Sequence, residues 1–251
     1  MVWTRIIACL AITSLPFFGE TRHAPAHLLE HHADGSVTSE NWSGYAVTGV
    51  EGSVSSVTGS WIVPAVDCDG TNPKVGAASF WVGIDGYTTA TVEQTGTDSD
   101  CASGKPLYYA WYEFFPDPGI TITTIAVKPG DVMAASVTYN GSEFTVTITD
   151  QRTQETFTKS KAVAAAKRSS AEWIGESPAG PLPNYGTVFF GQDETGLLGT
   201  CDATVESKSS PVGGFPSRTM HAITMVSSSG VAEAAPSALS TDGSSFSIVW
   251  Q

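Results

Sequence analysis

The chain has 251 residues, 41% of them hydrophobic, so it can bury a sizeable core, and its net charge of -13 makes nucleic acid and anionic membranes poor partners. From residue 40 onward it holds seven lysines, three arginines and one histidine, so even with every carboxyl protonated it carries little positive charge to repel itself, which suits an acidic environment. Nothing in the length demands a second domain, and residues 40–251 are expected to form one.

Residues 1–26 have the pattern of a secretory signal peptide. Arg5 precedes an apolar run from Ile6 to Phe18, and the small-x-small site Ala24-Pro25-Ala26 follows. That run is too short to favour a membrane anchor. The expected product is secreted and extracellular, without membrane association once the signal is removed. Residues 27–39 hold three of the five histidines and no periodic pattern, which suggests a flexible lead-in or short pro-segment. Cys9 would leave with the signal, and Cys68, Cys101 and Cys201 then allow one disulfide and one free thiol. The turn-like, Asp/Gly-rich surroundings of Cys68 and Cys101 favour that pairing.

From residue 40 the chain is a succession of short alternating segments punctuated by Gly, Pro, Asn and Asp. VSSVTGSWIVP, ASFWVGI, TTATVEQ, PLYYAWYEFF, GITITTIAV, DVMAASVTY, FTVTITD and ETFTKS each predict a strand. In TTATVEQTG, residues 88–96, the strand is expected to end at Glu93-Gln94, before a Thr95-Gly96 turn. Asn140-Gly141 predicts a type I′ hairpin, and Lys128-Pro129-Gly130-Asp131 another turn. KAVAAAKRSSAEW suits a short helix or a crowded strand. FSIVW at the C-terminus is expected to return to the sheet. Many strands without βα alternation imply an antiparallel sandwich or barrel.

Familiar catalytic machinery is missing. His221 is the only histidine after residue 40, so H-E-x-x-H metal sites and serine or cysteine nucleophiles lack partners. No phosphate-cradling or dinucleotide glycine pattern occurs, and no D-[ST]-G triplet of an aspartic peptidase. No cofactor and no metal are expected. Carboxyls, amides and tryptophans remain, gathered in Asn41-Trp42-Ser43-Gly44, FWVGIDG (80–86), VEQTGTD (92–98), AWYEFFP (110–116) and AEWIGE (171–176). In a strand Glu172, Ile174 and Glu176 point one way, Trp173 and Gly175 the other.

In order and spacing these five motifs resemble the glutamic peptidases, or eqolisins, from about Glu40 to Gln192, with a weaker continuation through ITMV near residue 223. The resemblance implies an all-β fold, an antiparallel β-sandwich of two sheets, concanavalin-like or jelly-roll-like, with a concave substrate cleft. It implies a pepstatin-insensitive acid endopeptidase acting on protein or peptide substrates. The family's catalytic glutamine falls on Gln94, its glutamate on Glu176, and its cleft residues on Trp42, Trp81, Asp85, Trp111 and Glu113. After Glu176 the chain continues SPAGPLPNYG, a departure from the acids that family members carry there. A monomer is expected.

Glu176 can take a proton from water and return it to the leaving amine, while the Gln94 amide orients water and stabilises the oxyanion. Hydrogen bonds are expected to keep enough of Glu176 ionised in acid. Glu93, on the opposite face of a regular strand, is expected to be structural. Two rival functions use the same residues differently: a glycoside hydrolase with Glu113 and Glu176 as its acid pair, and a non-catalytic carbohydrate- or protein-binding sandwich.

Overall fold

The computed structural model describes residues 23–26, 29–69 and 74–251. Most of the expected signal peptide, residues 1–22, lies outside them. Among the described residues are eighteen strands, one four-residue helix, Gln192–Thr195, and one 3-10 turn, Val212–Gly214. None of the described helices is long and apolar enough to cross a membrane.

Strand pairing defines two layers. In the first, Met220–Val226, Trp42–Thr48, Ser170–Glu176, Ser79–Ile84, Val92–Ala102, Lys105–Phe115 and Ile120–Ile122 follow one another, each neighbour antiparallel. The second runs Thr156–Lys161, Phe144–Asp150, Val132–Tyr139 and Val54–Ile62, and continues through Thr187–Gly191 and Ser245–Trp250. Ala232–Pro236 links the layers at one edge by pairing with both Ser245–Trp250 and Met220–Val226.

Alternation along each strand sorts the side chains. Phe80, Val82 and Ile84 join Trp61, Ile148, Trp173 and Phe190 in the core between the layers. Fully burying such a side chain stabilises by about 1.5–3 kcal/mol. The intervening residues face outward, where Trp42, Trp81, Trp111 and Ile174 form a second apolar cluster. The two-residue period predicted for the AEWIGE strand is observed, with Trp173 inward and Ile174 outward.

Several expectations change. Gln94 does not close a strand but lies near the start of one eleven residues long, Val92–Ala102. Gly96 marks no turn; a Cβ there would overlap the Phe80 carbonyl oxygen and lie 2.5 Å from Trp81 Cβ, so this glycine lets two strands and a tryptophan close up. At Asn140-Gly141 the paired residues are Tyr139 and Phe144, giving a four-residue loop in which Asn140 Oδ1 accepts the Ser142 and Glu143 amides. This is an Asx-type turn in place of type I′. KAVAAAKRSS forms no helix; its first residue, Lys161, ends the strand Thr156–Lys161, its last, Ser170, begins Ser170–Glu176, and residues 162–169 between them are loop and turn. Residues 30–39, expected as a flexible lead-in, hold two short paired strands, and Val37–Ser39 adds in parallel to Ile223–Met225, burying Val37. Cys68 and Cys101 are bonded as expected, and Cys201 is a free, buried thiol whose pKa burial pushes up to about 12.

Candidate active site

Register arranges the outward side chains of the first layer in rows across the strands. One row is Trp42, Glu176, Ser79, Asp98 and Tyr109; the next is Gly44, Ile174, Trp81, Gly96 and Trp111; a third is Ala46, Glu172, Gly83, Gln94 and Glu113. Glu176 and Gln94 therefore stand on strands separated by one other, roughly 10 Å apart laterally at the usual strand spacing. Only long side chains leaning across Trp81 can meet the same ligand from these positions. Gly83 leaves the room, since a Cβ there would lie 2.9 Å from the Trp81 ring and 3.2 Å from Gln94 Cβ.

Residues 23–26 lie over these rows in the way a bound peptide would. The His23 carbonyl accepts a hydrogen bond from Gln94 Nε2 at 2.7 Å, and the Ala24 N–H donates to Glu176 Oε1 at 3.0 Å. The two residues thus hold opposite ends of one peptide bond. Trp42 Nε1 donates to the Ala24 carbonyl at 3.0 Å, Asn41 Nδ2 to that of Pro25 at 3.2 Å, and the Ala26 N–H donates to the Gly86 carbonyl at 3.1 Å.

Gln94 Nε2 also donates to Glu113 Oε2 at 2.9 Å. Both neighbours of this nitrogen are acceptors, so the amide is oriented with its NH₂ toward the peptide carbonyl. Glu113 is the residue that fixes it. Glu176 Oε2 accepts from Trp81 Nε1 at 2.9 Å. Burial under residues 23–26 and the surrounding strands raises the Glu176 pKa to about 8; His23 lowers it, Glu113 raises it, and the Trp81 and Ala24 donors lower it. While the cleft is covered, burial outweighs the hydrogen bonds that were expected to keep Glu176 ionised.

Of the residues singled out from sequence, Gln94, Glu176, Trp42, Trp81, Trp111 and Glu113 converge on residues 23 and 24 or on one another. Asp85 is not among them. Its buried carboxylate accepts the amides of Lys167, Arg168 and Ser169, so it shapes the loop that leads into the Glu176 strand. Glu93 pairs in register with Ile84 and Phe114, on the core side. Sequence reasoning passed over His23, which it placed in the signal peptide, and Asp98 and Tyr109, which line the cleft beside Trp111. Gln94 and Asp98 lie four residues apart, an even spacing that puts both on one face of a strand, and this was the available signal.

Fold and cleft together define an all-β enzyme whose outer sheet face binds a peptide segment through amide and carboxyl side chains. The chain belongs to the Peptidase A4 family, whose model matches residues 40–232. It is 29% identical over 204 residues to aspergillopepsin-2 of Aspergillus niger, covering 66% of this chain and 69% of that protein. Scytalidopepsin B of Scytalidium lignicola is 34% identical over 108 residues, 43% of this chain and 38% of that protein. Among solved structures, scytalido-glutamic peptidase with a transition state analog inhibitor superposes with a TM-score of 0.67 at 22% identity, covering 84% of this chain and 98% of that one. The protein is a glutamic endopeptidase, and the glycosidase and binding-module alternatives fall away.

Trp81→Phe tests the Glu176 environment. Phenylalanine keeps an aromatic ring, smaller than the indole, and loses the N–H that favours the carboxylate, so the acidic limb of the kcat/KM profile should move up by roughly one pH unit. A pH-rate series on wild type and variant measures the shift. An unmoved acidic limb would mean that the Trp81 N–H does not set the Glu176 ionisation seen in the profile.

Proposed function

We propose that this glutamic endopeptidase is a secreted acid enzyme whose chemistry is carried by Gln94 and Glu176, with residues 40–251 as the peptidase domain. The observation that carries the proposal is the grip on the His23–Ala24 peptide bond, with its carbonyl on the Gln94 amide and its nitrogen on Glu176. Glu176 removes a proton from the attacking water and returns it to the departing nitrogen, which lies at hydrogen-bond distance. Gln94 donates to the carbonyl oxygen as negative charge develops and, being non-titrating, keeps that donor at any pH. Trp42 holds the next carbonyl along, and Glu113 holds Gln94.

Removal of residues 1–26 as a signal peptide would uncover the cleft. Water then reaches Glu176, the main cause of its raised pKa weakens, and the Trp81 donor remains to favour the carboxylate. A base is thereby available in acid. The known inhibitor complex of scytalido-glutamic peptidase shows that a protein of this fold accepts a transition-state analog.

The test is proteolysis of a denatured protein substrate at about pH 3.5 by the purified mature protein, with pepstatin present. Pepstatin-resistant cleavage is the expected result, together with loss of cleavage in Gln94→Ala and Glu176→Gln proteins of native near-UV circular dichroism. Undiminished cleavage by Glu176→Gln would remove the proposed base, and Glu172 would be tried next.

A further inference from the structure

Two asparagines of the chain begin an Asn-x-Ser triplet, the acceptor pattern for N-linked sugar in secreted proteins: Asn41-Trp42-Ser43 and Asn140-Gly141-Ser142. The fold separates them. Asn41 leads into the strand Trp42–Thr48, and Trp42 and Ser43 are buried. Asn41 Oδ1 accepts the Ser39 hydroxyl, Asn41 Nδ2 donates to the Pro25 carbonyl, and the Ser43 hydroxyl is enclosed without a partner. The serine of that triplet therefore does nothing for its asparagine, and a sugar there would press on buried neighbours beside the cleft.

Asn140 stands at the tip of the hairpin that joins Val132–Tyr139 to Phe144–Asp150, in the layer that does not carry the cleft, and residues 140–143 are all exposed. Its side-chain amide is already set by the loop. Oδ1 accepts the Ser142 N–H, the Ser142 hydroxyl and the Glu143 N–H, each at 2.9 Å, while the Asn140 N–H donates to the Glu143 carbonyl at 3.1 Å. With the oxygen turned into the loop, Nδ2 is the end without a partner among the described residues. Donors on Oδ1 stabilise the negative charge that builds there when Nδ2 loses a proton, and that loss turns an unreactive amide nitrogen into a nucleophile. All these contacts lie within four consecutive residues, so closing them costs little chain entropy and does not await the sheets. The surroundings are open: a Cβ on Gly141, at φ 102°, would meet nothing within 4 Å. A groove lined by Tyr139, Ser142, Phe144, Val163, Ala166 and Arg168 runs beside the loop, where a first sugar displaces neither strand.

We propose that Asn140 is an acceptor for N-linked oligosaccharide during secretion, and that Asn41 is not. In the transfer, Asn140 Nδ2 bonds to the anomeric carbon of an oligosaccharide carried on a lipid diphosphate. The bond from that carbon to the diphosphate oxygen breaks, the lipid diphosphate leaves with the electron pair, and the nitrogen gives one proton to a base of the transferase. The assignment depends on entry into a secretory compartment and not on the Gln94/Glu176 chemistry, so either can fail without the other.

The test is expression of the full chain behind a yeast secretory leader, so that delivery does not depend on residues 1–26, with peptides of the secreted and cell-associated chain read by mass spectrometry before and after peptide-N-glycosidase. The enzyme converts a glycosylated asparagine to aspartate, which marks the site. A glycan on Asn140 is expected, with Asn41 unmodified. Asn140→Gln should remove it, and so should Ser142→Ala, which keeps the asparagine and takes away only the hydroxyl; near-UV circular dichroism of both variants should stay native, because the loop is exposed. Asn140 unmodified in both fractions of wild type overturns the proposal. A glycan on Asn41 of the folded protein, or one that persists on Asn140 in Ser142→Ala, overturns it as well.

Discussion

Glu176→Gln is expected to lower kcat/KM by at least ~10⁴-fold, because in the proposed mechanism Glu176 serves twice, as base toward water and as acid toward the leaving nitrogen, and general acid–base catalysis contributes about 10²–10⁴ per step. The substitution is nearly isosteric, and Glu176 Oε2 accepts a Trp81 hydrogen bond that a glutamine carbonyl can also accept, so folding should survive. Gln94→Ala should cost less, roughly 10²–10³-fold, the usual effect of removing one oxyanion donor. Gln94→Glu separates the roles further. A protonated glutamic acid can still donate to the oxyanion, so this variant should keep part of its activity in acid and lose it as pH rises and the new carboxyl ionises. Glu172→Gln provides the contrast, since the Glu172 carboxyl oxygens make no hydrogen bond with residues 23–26. Single-turnover rates on one peptide across the four variants would decide. A Gln94→Glu profile parallel to wild type at every pH would exclude an amide donor role.

Glu113 belongs with this pair although it does not share its chemistry. It accepts from Gln94 Nε2 and from the His23 N–H through the same Oε2 atom, and its Oε1 is buried without a partner. Gln94 Oε1 and Trp111 Nε1 are likewise buried without a partner. Glu113 therefore orients the Gln94 amide, a use that a glycosidase reading would have assigned to acid catalysis.

Much of the site was legible because strands carry a strict two-residue period. In the AEWIGE strand the opposite senses of Trp173 and Ile174 followed from that period, and the structure places Trp173 inward and Ile174 outward. Glycines were the weak point. Gly96 resembles a turn residue in sequence, yet it is needed because two strands and the Trp81 side chain converge there, and that close approach is a tertiary fact. Asp85 misled for a related reason. A buried acid in an aromatic motif suggests a cleft, but its carboxylate serves the amides of residues 167–169, more than eighty positions away. Small-x-small spacing assigned His23-Ala24-Pro25-Ala26 to a leader, and no local pattern could show that the same residues fit the cleft.

The protein is expected to be most stable in acid and to weaken toward neutral pH, and two buried acids away from the dyad are the main cause. Glu93 and Glu172 are fully buried with both carboxyl oxygens lacking hydrogen-bond partners. Burial, then the charge of Asp85, raises the Glu93 pKa to about 9, and burial raises that of Glu172 well above its ordinary value. In the unfolded chain both titrate near 4.5. Below that value both states hold the protons and stability does not change with these groups. Between about pH 5 and 9 the folded state binds more protons than the unfolded one, so each rise in pH favours unfolding. At about 1.4 kcal/mol per pKa unit the Glu93 shift alone accounts for several kcal/mol, and Glu172 acts in the same direction. For a domain of this size that corresponds to a fall in Tm of roughly 10 °C or more between pH 4.5 and pH 8.5. Asp100, raised to about 8 by burial and by Asp98, acts in the same direction. Calorimetric scans across this range on wild type, Glu93→Gln and Glu172→Gln read the slope of Tm against pH directly. Each substitution should flatten that slope whatever it does to Tm at any one pH, because it removes a titrating group and not merely a contact. A wild-type Tm at pH 8.5 equal to that at pH 4.5 would show that these carboxyls ionise freely in the folded protein.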